Sequence, residues 1–130
     1  MTVCFTDIIV GGRYSRSQLA EIWGYKGHQA LARGVVTPRY GNVIILFVTE
    51  KKQTFQEQYE DKLIGKVLEW EGPTDHFAED RMVHTATNGD EIHIFHRVIH
   101  HSEFTYLGRA AITDVKVNSQ HPSKFKFTFV

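Results

Sequence analysis

Val43-Ile44-Ile45-Leu46-Phe47-Val48-Thr49 is the stretch on which the fold turns. Its side chains are apolar at both parities. A half-buried strand alternates apolar and polar residues, whereas a strand covered on both faces reads as a continuous apolar run. The segment is therefore expected to run through the middle of the molecule. The purely apolar part, Val43 to Val48, is far short of the roughly 20 residues that a membrane-spanning helix needs.

Further strands are expected on either side of it. Residues 5–10 (Phe-Thr-Asp-Ile-Ile-Val) suggest a short strand closed by Gly11-Gly12, and residues 66–71, 91–99 and 104–115 suggest three more. At the C-terminal end Phe125, Phe127 and Phe129 alternate with Lys124, Lys126 and Thr128, as in a strand with one wet face. Helical signals are brief. Ser15 and Gln18 have capping-box spacing, with Tyr14 and Leu19 placed as a hydrophobic staple. Leu19, Ile22 and Trp23 form one stripe, and Gly24 is a stop. A helical turn is expected over His28 to Arg33 and another within 77–86, with a turn at Asn88-Gly89. The sum is one α+β domain over residues 1–130: a small, strongly curved, mostly antiparallel β-barrel with one or two short helices.

Composition narrows the function classes. The 130 residues carry 15 basic and 15 acidic side chains, so bulk electrostatic attraction to nucleic acid is not the working principle. The charge is unevenly spread, with seven basic and three acidic residues in 1–52, four and eleven in 53–103, and four and one in 104–130. If the two ends meet, a basic face opposes an acidic one. Otherwise the charges form a mixed, solvated surface. The single cysteine, Cys4, excludes an internal disulfide and a thiolate-rich zinc site. With no basic segment leading into a long apolar stretch, a reducing cytoplasm is the expected compartment.

Several constellations carry no chemistry of their own. His93, His96, His100 and His101 lie close in sequence, but a strand spreads same-face residues by about 6.6 Å, so they do not converge as zinc ligands. No phosphate-cradling glycine motif is present. Cys4 has no neighbouring base to activate it, and Ser15 is accounted for as a cap. The carboxylates within Glu57–Asp61 and Glu69–Asp80 fit a solvated surface. No catalytic residue, metal or cofactor is assigned. More informative are four places where a flat ring adjoins hydrogen-bonding groups: Tyr14-Ser15-Arg16, Tyr59-Glu60-Asp61, Glu69-Trp70-Glu71 and Phe104-Thr105-Tyr106. A pocket for an unstacked base needs rings for its faces and polar groups for its edge. The same rings would also serve as core with their polar tips satisfied locally.

Taken in order, several segments resemble a known family. These are Tyr14-Ser15-Arg16, Arg33-Gly34-Val35-Val36, Leu46-Phe47-Val48-Thr49 with Lys51 or Lys52, and Tyr59-Glu60-Asp61. They continue with a strand ending near Trp70, then Ile94-Phe95-His96-Arg97, Phe104-Thr105-Tyr106-Leu107-Gly108, and a closing strand after Pro122. Over residues 12–130 they are similar to a domain of unknown function appended to superfamily II helicases that carry a phospholipase-D-type nuclease, with related domains beside HNH nucleases. The resemblance implies an SRA- or PUA-like module that recognises a modified base, a modified cytosine, by base flipping for a modification-dependent restriction or defence system. Its partners would be double-stranded DNA carrying the modified base and a nuclease or helicase module in the same or another polypeptide, and no membrane.

On that basis the base-binding residues are Tyr14, Ser15, Arg16, Tyr59, Asp61, Trp70, Glu71, His93, His101 and Tyr106. The extruded base would sit among Tyr14, Tyr59, Trp70 and Tyr106. Asp61 or Glu71 would accept from an exocyclic amine, and His93 or His101 would serve either way. The phosphate-binding residues would be Arg33, Arg39, Lys51, Lys52 and Arg109, with Arg16 beside them. Two departures from the family stand out. Its aromatic–glutamine segment is here Glu69-Trp70-Glu71-Gly72, and the helicase and nuclease parts are absent, so the chain is a free-standing reader or a domain of a larger polypeptide. Two rival readings are a small PUA-like hydrolase acting on a modified nucleoside, with Lys51, Thr49 and Glu71 as nucleophile and base, and a protein–protein adaptor with a flat apolar patch.

Overall fold

The computed structural model describes residues 3–39, 41–51 and 62–130, with Lys51 and Lys62 described by backbone alone. The elements run β1 (Arg13–Tyr14), α1 (Arg16–Ile22), a 3-10 turn (His28–Leu31), β2 (Val35–Val36), β3 (Val43–Lys51), β4 (Lys62–Ile64), β5 (Val67–Glu71), α2 (Glu79–Val83), α3 (Thr85–Asn88), β6 (Glu91–Ile99), β7 (Phe104–Lys116) and β8 (Lys124–Phe129). The strands form one sheet ordered β2-β3-β6-β7-β8-β5-β4, with β1 added to β7. β3 and β6 are parallel, and the other described pairings are antiparallel.

β3 is buried on both faces, as its unbroken apolar run predicts. Ile44, Leu46 and Val48 face one core with Leu68, Met82, Ile92, Ile94, Phe125 and Phe127. Ile45 and Phe47 face a second core with Leu19, Trp23, Leu31, Phe95, Phe104 and Tyr106. The sheet is thus the wall between two apolar layers. The Phe125/Phe127 side of β8 belongs to the first layer, and Phe129 packs on its margin.

Three expectations are corrected, and closure into a barrel is not confirmed. The sheet is not seen to close into a barrel among the described residues, because β2 and β4 end the strand path. Closure needs a ladder between the terminal strands. Among the described residues, β4 meets β3 where the Leu63 amide donates to the Glu50 carboxylate at 3.1 Å. Residues 5–10 are not a strand. Ile8 N–H donates to Phe5 C=O in a turn, and the chain joins the sheet later, where Gly11 N–H donates to Tyr106 C=O and Tyr106 N–H donates to Gly12 C=O. Ile9 and Val10 are exposed, so this apolar run never buries a second face. The helical content exceeds the expected one or two, with three short helices and the 3-10 turn. Finally, Ile22 leaves the stripe and is 45% exposed; Leu19, Ala20 and Trp23 are buried instead.

The ends of α1 follow local chemistry closely. Ser15 Oγ accepts from Gln18 N–H at 3.1 Å, and Gln18 Oε1 accepts from Ser15 N–H at 2.7 Å. At the other end Gly24 has φ +78°, Tyr25 N–H donates to Ala20 C=O and Gly24 N–H donates to Glu21 C=O, a Schellman closure. No helix among the described residues is long and apolar enough to cross a membrane.

Candidate nucleic-acid interface

On β6 the odd positions His93, Phe95 and Arg97 point into the second layer. A bulge between Ile94 and Phe95 sets Gly108 against Ile94 and Tyr106 against Phe95. Gly108 has φ +104°, a conformation that side chains disfavour and that glycine adopts freely. This shift brings the Tyr106 hydroxyl to 2.6 Å from His93 Nδ1. His93 Nε2 lies 3.0 Å from Glu91 Oε1, and Glu91 Oε2 lies 3.6 Å from Arg109. Burial holds the His93 pKa below the usual histidine value, outweighing Glu91, which raises it, while Arg109 lowers it further. Burial, with help from Glu91, pushes the Tyr106 phenol up to about 12. A neutral imidazole beside a protonated phenol fixes the direction of the bonds. Tyr106 O–H donates to Nδ1, and Nε2–H donates to Glu91.

Flat rings cover this pair. Phe5 stacks on His93 with centroids 3.7 Å apart and planes 6° from parallel, and it lies 5.4 Å from the Tyr106 ring. Trp23 meets Phe5 edge-on and donates its Nε1–H to Cys4 C=O. Tyr14 stands edge-on to Phe95, with its hydroxyl accepting from Ile9 N–H.

At the other end of the layer two guanidinium groups share aromatic faces. Arg16 sits 4.8 Å from the Phe47 centroid and 4.9 Å from Phe104; Arg97 sits 4.2 Å from Phe104. Arg16 Nε donates to Leu31 C=O at 2.6 Å. Arg97 donates from Nε to Thr49 Oγ1 at 2.8 Å and from Nη1 to Ser102 C=O at 3.0 Å. Burial, and secondarily the charge of Arg97, brings the Arg16 pKa down to about 10; burial lowers that of Arg97. Neither arginine has a carboxylate partner among the described residues. Two desolvated like charges against an aromatic wall make a strong, focused positive potential.

The expected site residues divide accordingly. Tyr14, Ser15, Arg16, His93 and Tyr106 gather on this side of the sheet. Trp70 does not: it is 6% exposed in the other core, 5.4 Å from Phe125 and 5.9 Å from Phe127. Glu71 is on β5, 4.0 Å from Lys124. His101 lies exposed in the β6–β7 turn with φ +71°. Tyr59, Asp61 and Lys52 lie outside the described residues, and Lys51 is described only by its backbone. Of the expected phosphate contacts, Arg33 pairs with Asp75 at 3.1 Å over the Phe77 ring, Arg39 is exposed after β2, and Arg109 faces Glu91. The C-terminal lysines do not join a common basic face, since Lys124 and Lys126 oppose Glu71 and Glu69. The hydrolase set is not assembled either. Thr49 is held by Arg97, whereas Glu71 lines a cavity with Asp114, Lys116 and Lys126.

Arg97, Phe5 and Phe47 were not assigned to the site from sequence. For Arg97 a signal existed, because it continues the parity of His93 and Phe95. Among the described residues no group of three histidine, cysteine or acidic side chains is placed to hold a metal.

No family model matches the chain, and no curated protein matches it. Solved structures do. The SRA domain of SUVH5, in complex with fully methylated CG DNA, superposes with a TM-score of 0.61 at 14% identity, over 98% of this chain and 92% of that one. The DNA modification-dependent restriction endonuclease AspBHI gives a TM-score of 0.49 at 14% identity, over 68% of this chain and 31% of that one. The protein therefore has an SRA-like fold, mostly β-sheet with a few short helices.

Proposed function

We propose that the chain is a reader of double-stranded DNA carrying a modified base, a modified cytosine extruded from the duplex. The observation that carries this reading is the near end-to-end likeness to a domain solved on fully methylated CG DNA. The chemistry of the second layer supports it. His93 presents a flat face that already carries a ring in base-stacking geometry at 3.7 Å, and arginines stand at the far end of the same layer. In this reading the extruded base takes the place of Phe5 on His93, with Tyr106 and Tyr14 beside it. Tyr59 and Asp61 are proposed to complete the base contacts. Trp70 belongs to the core. The DNA-cutting or DNA-moving activity would come from a nuclease or helicase module.

Extrusion costs a few kcal/mol, and stacking contributes about 1–3 kcal/mol per base, so the two nearly cancel. One buried methyl is worth about 0.8 kcal/mol, roughly a fourfold difference in affinity. Anisotropy titrations with methylated, hydroxymethylated and plain duplexes of one sequence test this. At least about fourfold tighter binding to one modified duplex is expected; equal, weak binding to all three refutes the reading.

A further inference from the structure

Arg16 on α1 and Arg97 on β6 converge on one ring. Their guanidinium carbons lie 4.9 Å and 4.2 Å from the Phe104 centroid, so the two charges stand no further apart than those distances together. Phe47 and Phe104 belong to the second layer, and Thr49 continues the parity of Phe47, so both groups lie on one face of the sheet. Each guanidinium is fixed by its Nε bond, to the Leu31 carbonyl for Arg16 and to the Thr49 hydroxyl for Arg97, and Arg97 Nη1 adds the Ser102 carbonyl. Arg16 Nη1 and Nη2 and Arg97 Nη2 make no hydrogen bond among the described residues. None of the three is a buried orphan, so these donors open to solvent. No described carboxylate pairs with either group. Half-buried like charges repel, and the charge of Arg97 already disfavours ionisation of Arg16. Proteins ordinarily pair such charges. Two braced guanidiniums with no acid partner, on a common ring, are arranged to share an anion through charge-assisted bonds of about 2.7–2.9 Å from each.

We propose that Arg16 and Arg97 together seat one phosphodiester of the DNA backbone. The rings beneath exclude water from the guanidinium faces, and the outward Nη donors supply the forked contacts that suit a phosphate. The seat and the His93 ring share one face of β6, four residues and about 13 Å apart at roughly 3.3 Å per residue. The phosphodiester held is therefore one near the extruded base. The inference rests on the reader function above, and it assigns phosphate contact to residues other than Arg33 and Arg109, whose charges face Asp75 and Glu91.

Two measurements test it on the full chain. The first follows the arginine Nε–Hε resonances by NMR during separate titrations with dimethyl phosphate, inorganic phosphate and acetate at constant ionic strength. Arg16 and Arg97 should shift together with dimethyl phosphate along one binding curve, while Arg33 and Arg109 stay still. Movement of all four alike, of only one of the pair, or of neither overturns the seat. So does a response to inorganic phosphate or acetate without one to the diester, which would mark a free-phosphate site or an acidic peptide instead. The second measurement is the salt dependence of duplex binding. Because both groups serve one phosphate, Arg16→Gln and Arg97→Gln should each weaken modified and plain duplexes alike, and the double variant should lose less than the two losses combined. The double variant should also lower the slope of log K against log salt by about 0.9, roughly three- to fourfold in affinity between 50 and 200 mM salt. Urea unfolding reports the fold of each variant. Where a glutamine variant does not fold, Arg16→Lys and Arg97→Lys, which retain charge without the fork, should weaken the diester response in its place. An unchanged slope in a folded double variant that still prefers a modified duplex overturns the seat and leaves the reader standing. A protein that binds no duplex while both resonances answer dimethyl phosphate sinks the reader and leaves the seat standing.

Discussion

Replacing His93 by phenylalanine should leave a folded protein with an altered response to acid, and the size of the change follows from two hydrogen bonds. Phenylalanine keeps a ring beneath Phe5 but accepts nothing from Tyr106. The Tyr106 hydroxyl, in a residue only 4% exposed, then loses its partner, which costs about 1–3 kcal/mol. Glu91 is half exposed and recovers a bond from water, so its loss adds little. Tyr106→Phe should cost a similar amount through the orphaned Nδ1. Removing both polar groups together should restore most of the stability, a coupling of about 1 kcal/mol or more in a double-mutant cycle. The acid response has a definite sign. Burial lowers the His93 pKa in the folded protein, so in the range below about 6.5 the unfolded chain binds the proton first. Stability contributed by the neutral ring is present above that range and is lost as pH falls toward the folded value, with a slope of at most about 1.4 kcal/mol per pH unit. Urea unfolding of wild type and His93→Phe between pH 8 and pH 5 is the assay. The wild-type curve should fall more steeply on the acid side. Parallel curves, or strictly additive single mutants, would refute the neutral-imidazole network.

Two further substitutions separate the layers. Trp70→Phe should lower stability by about 1–3 kcal/mol through lost packing against Phe125 and Phe127, yet leave affinity for a modified duplex within about twofold; a tenfold loss in a folded variant would return Trp70 to the binding site. Phe5→Ala should cost about 2 kcal/mol of stability, because the ring is half-buried, and should raise affinity for the modified duplex several-fold by clearing the His93 face. Equal loss of affinity for all duplexes would show that Phe5 supports the surface rather than occupying it.

The fold was legible where one residue pattern has one physical outcome. The doubly apolar run of β3, the alternating phenylalanines of β8 and the Ser15–Gln18 box each force a local structure, and each formed. The Phe5–Val10 run was misread because its apolar residues have no partner strand to pair with. The chain meets the sheet only beyond that run, where the Gly11 N–H and the Gly12 C=O bond to Tyr106. The two-residue β1 and β2 and the three-residue β4 were invisible, since stretches that short carry no period and exist only because a longer neighbour supplies the ladder. Closure of the sheet was a topological inference from strand count, and strand count does not specify which edges meet.

The candidate site divides along the same line, and the reason is parity. Tyr14, His93 and Tyr106 are far apart in sequence, yet each projects from the second-layer side of its strand. Trp70 is surrounded by the same carboxylate-rich setting that made it attractive, but it alternates with Val67, Glu69 and Glu71 and so points to Phe125 and Phe127. A ring beside polar residues is therefore ambiguous until the sheet decides which neighbour shares its face. Arg97 illustrates the converse. Its local context, between His96 and Val98, says nothing, but two residues beyond Phe95 on β6 it must share the face of His93. That placement, with Arg16 brought in by the capped helix, concentrates positive charge where flat rings already lie. A protein with no net charge can thus keep one strongly positive spot, because Lys124 and Lys126 are held against Glu71 and Glu69 elsewhere on the sheet. Local charge placement, rather than total charge, sets the potential that a ligand meets on that face.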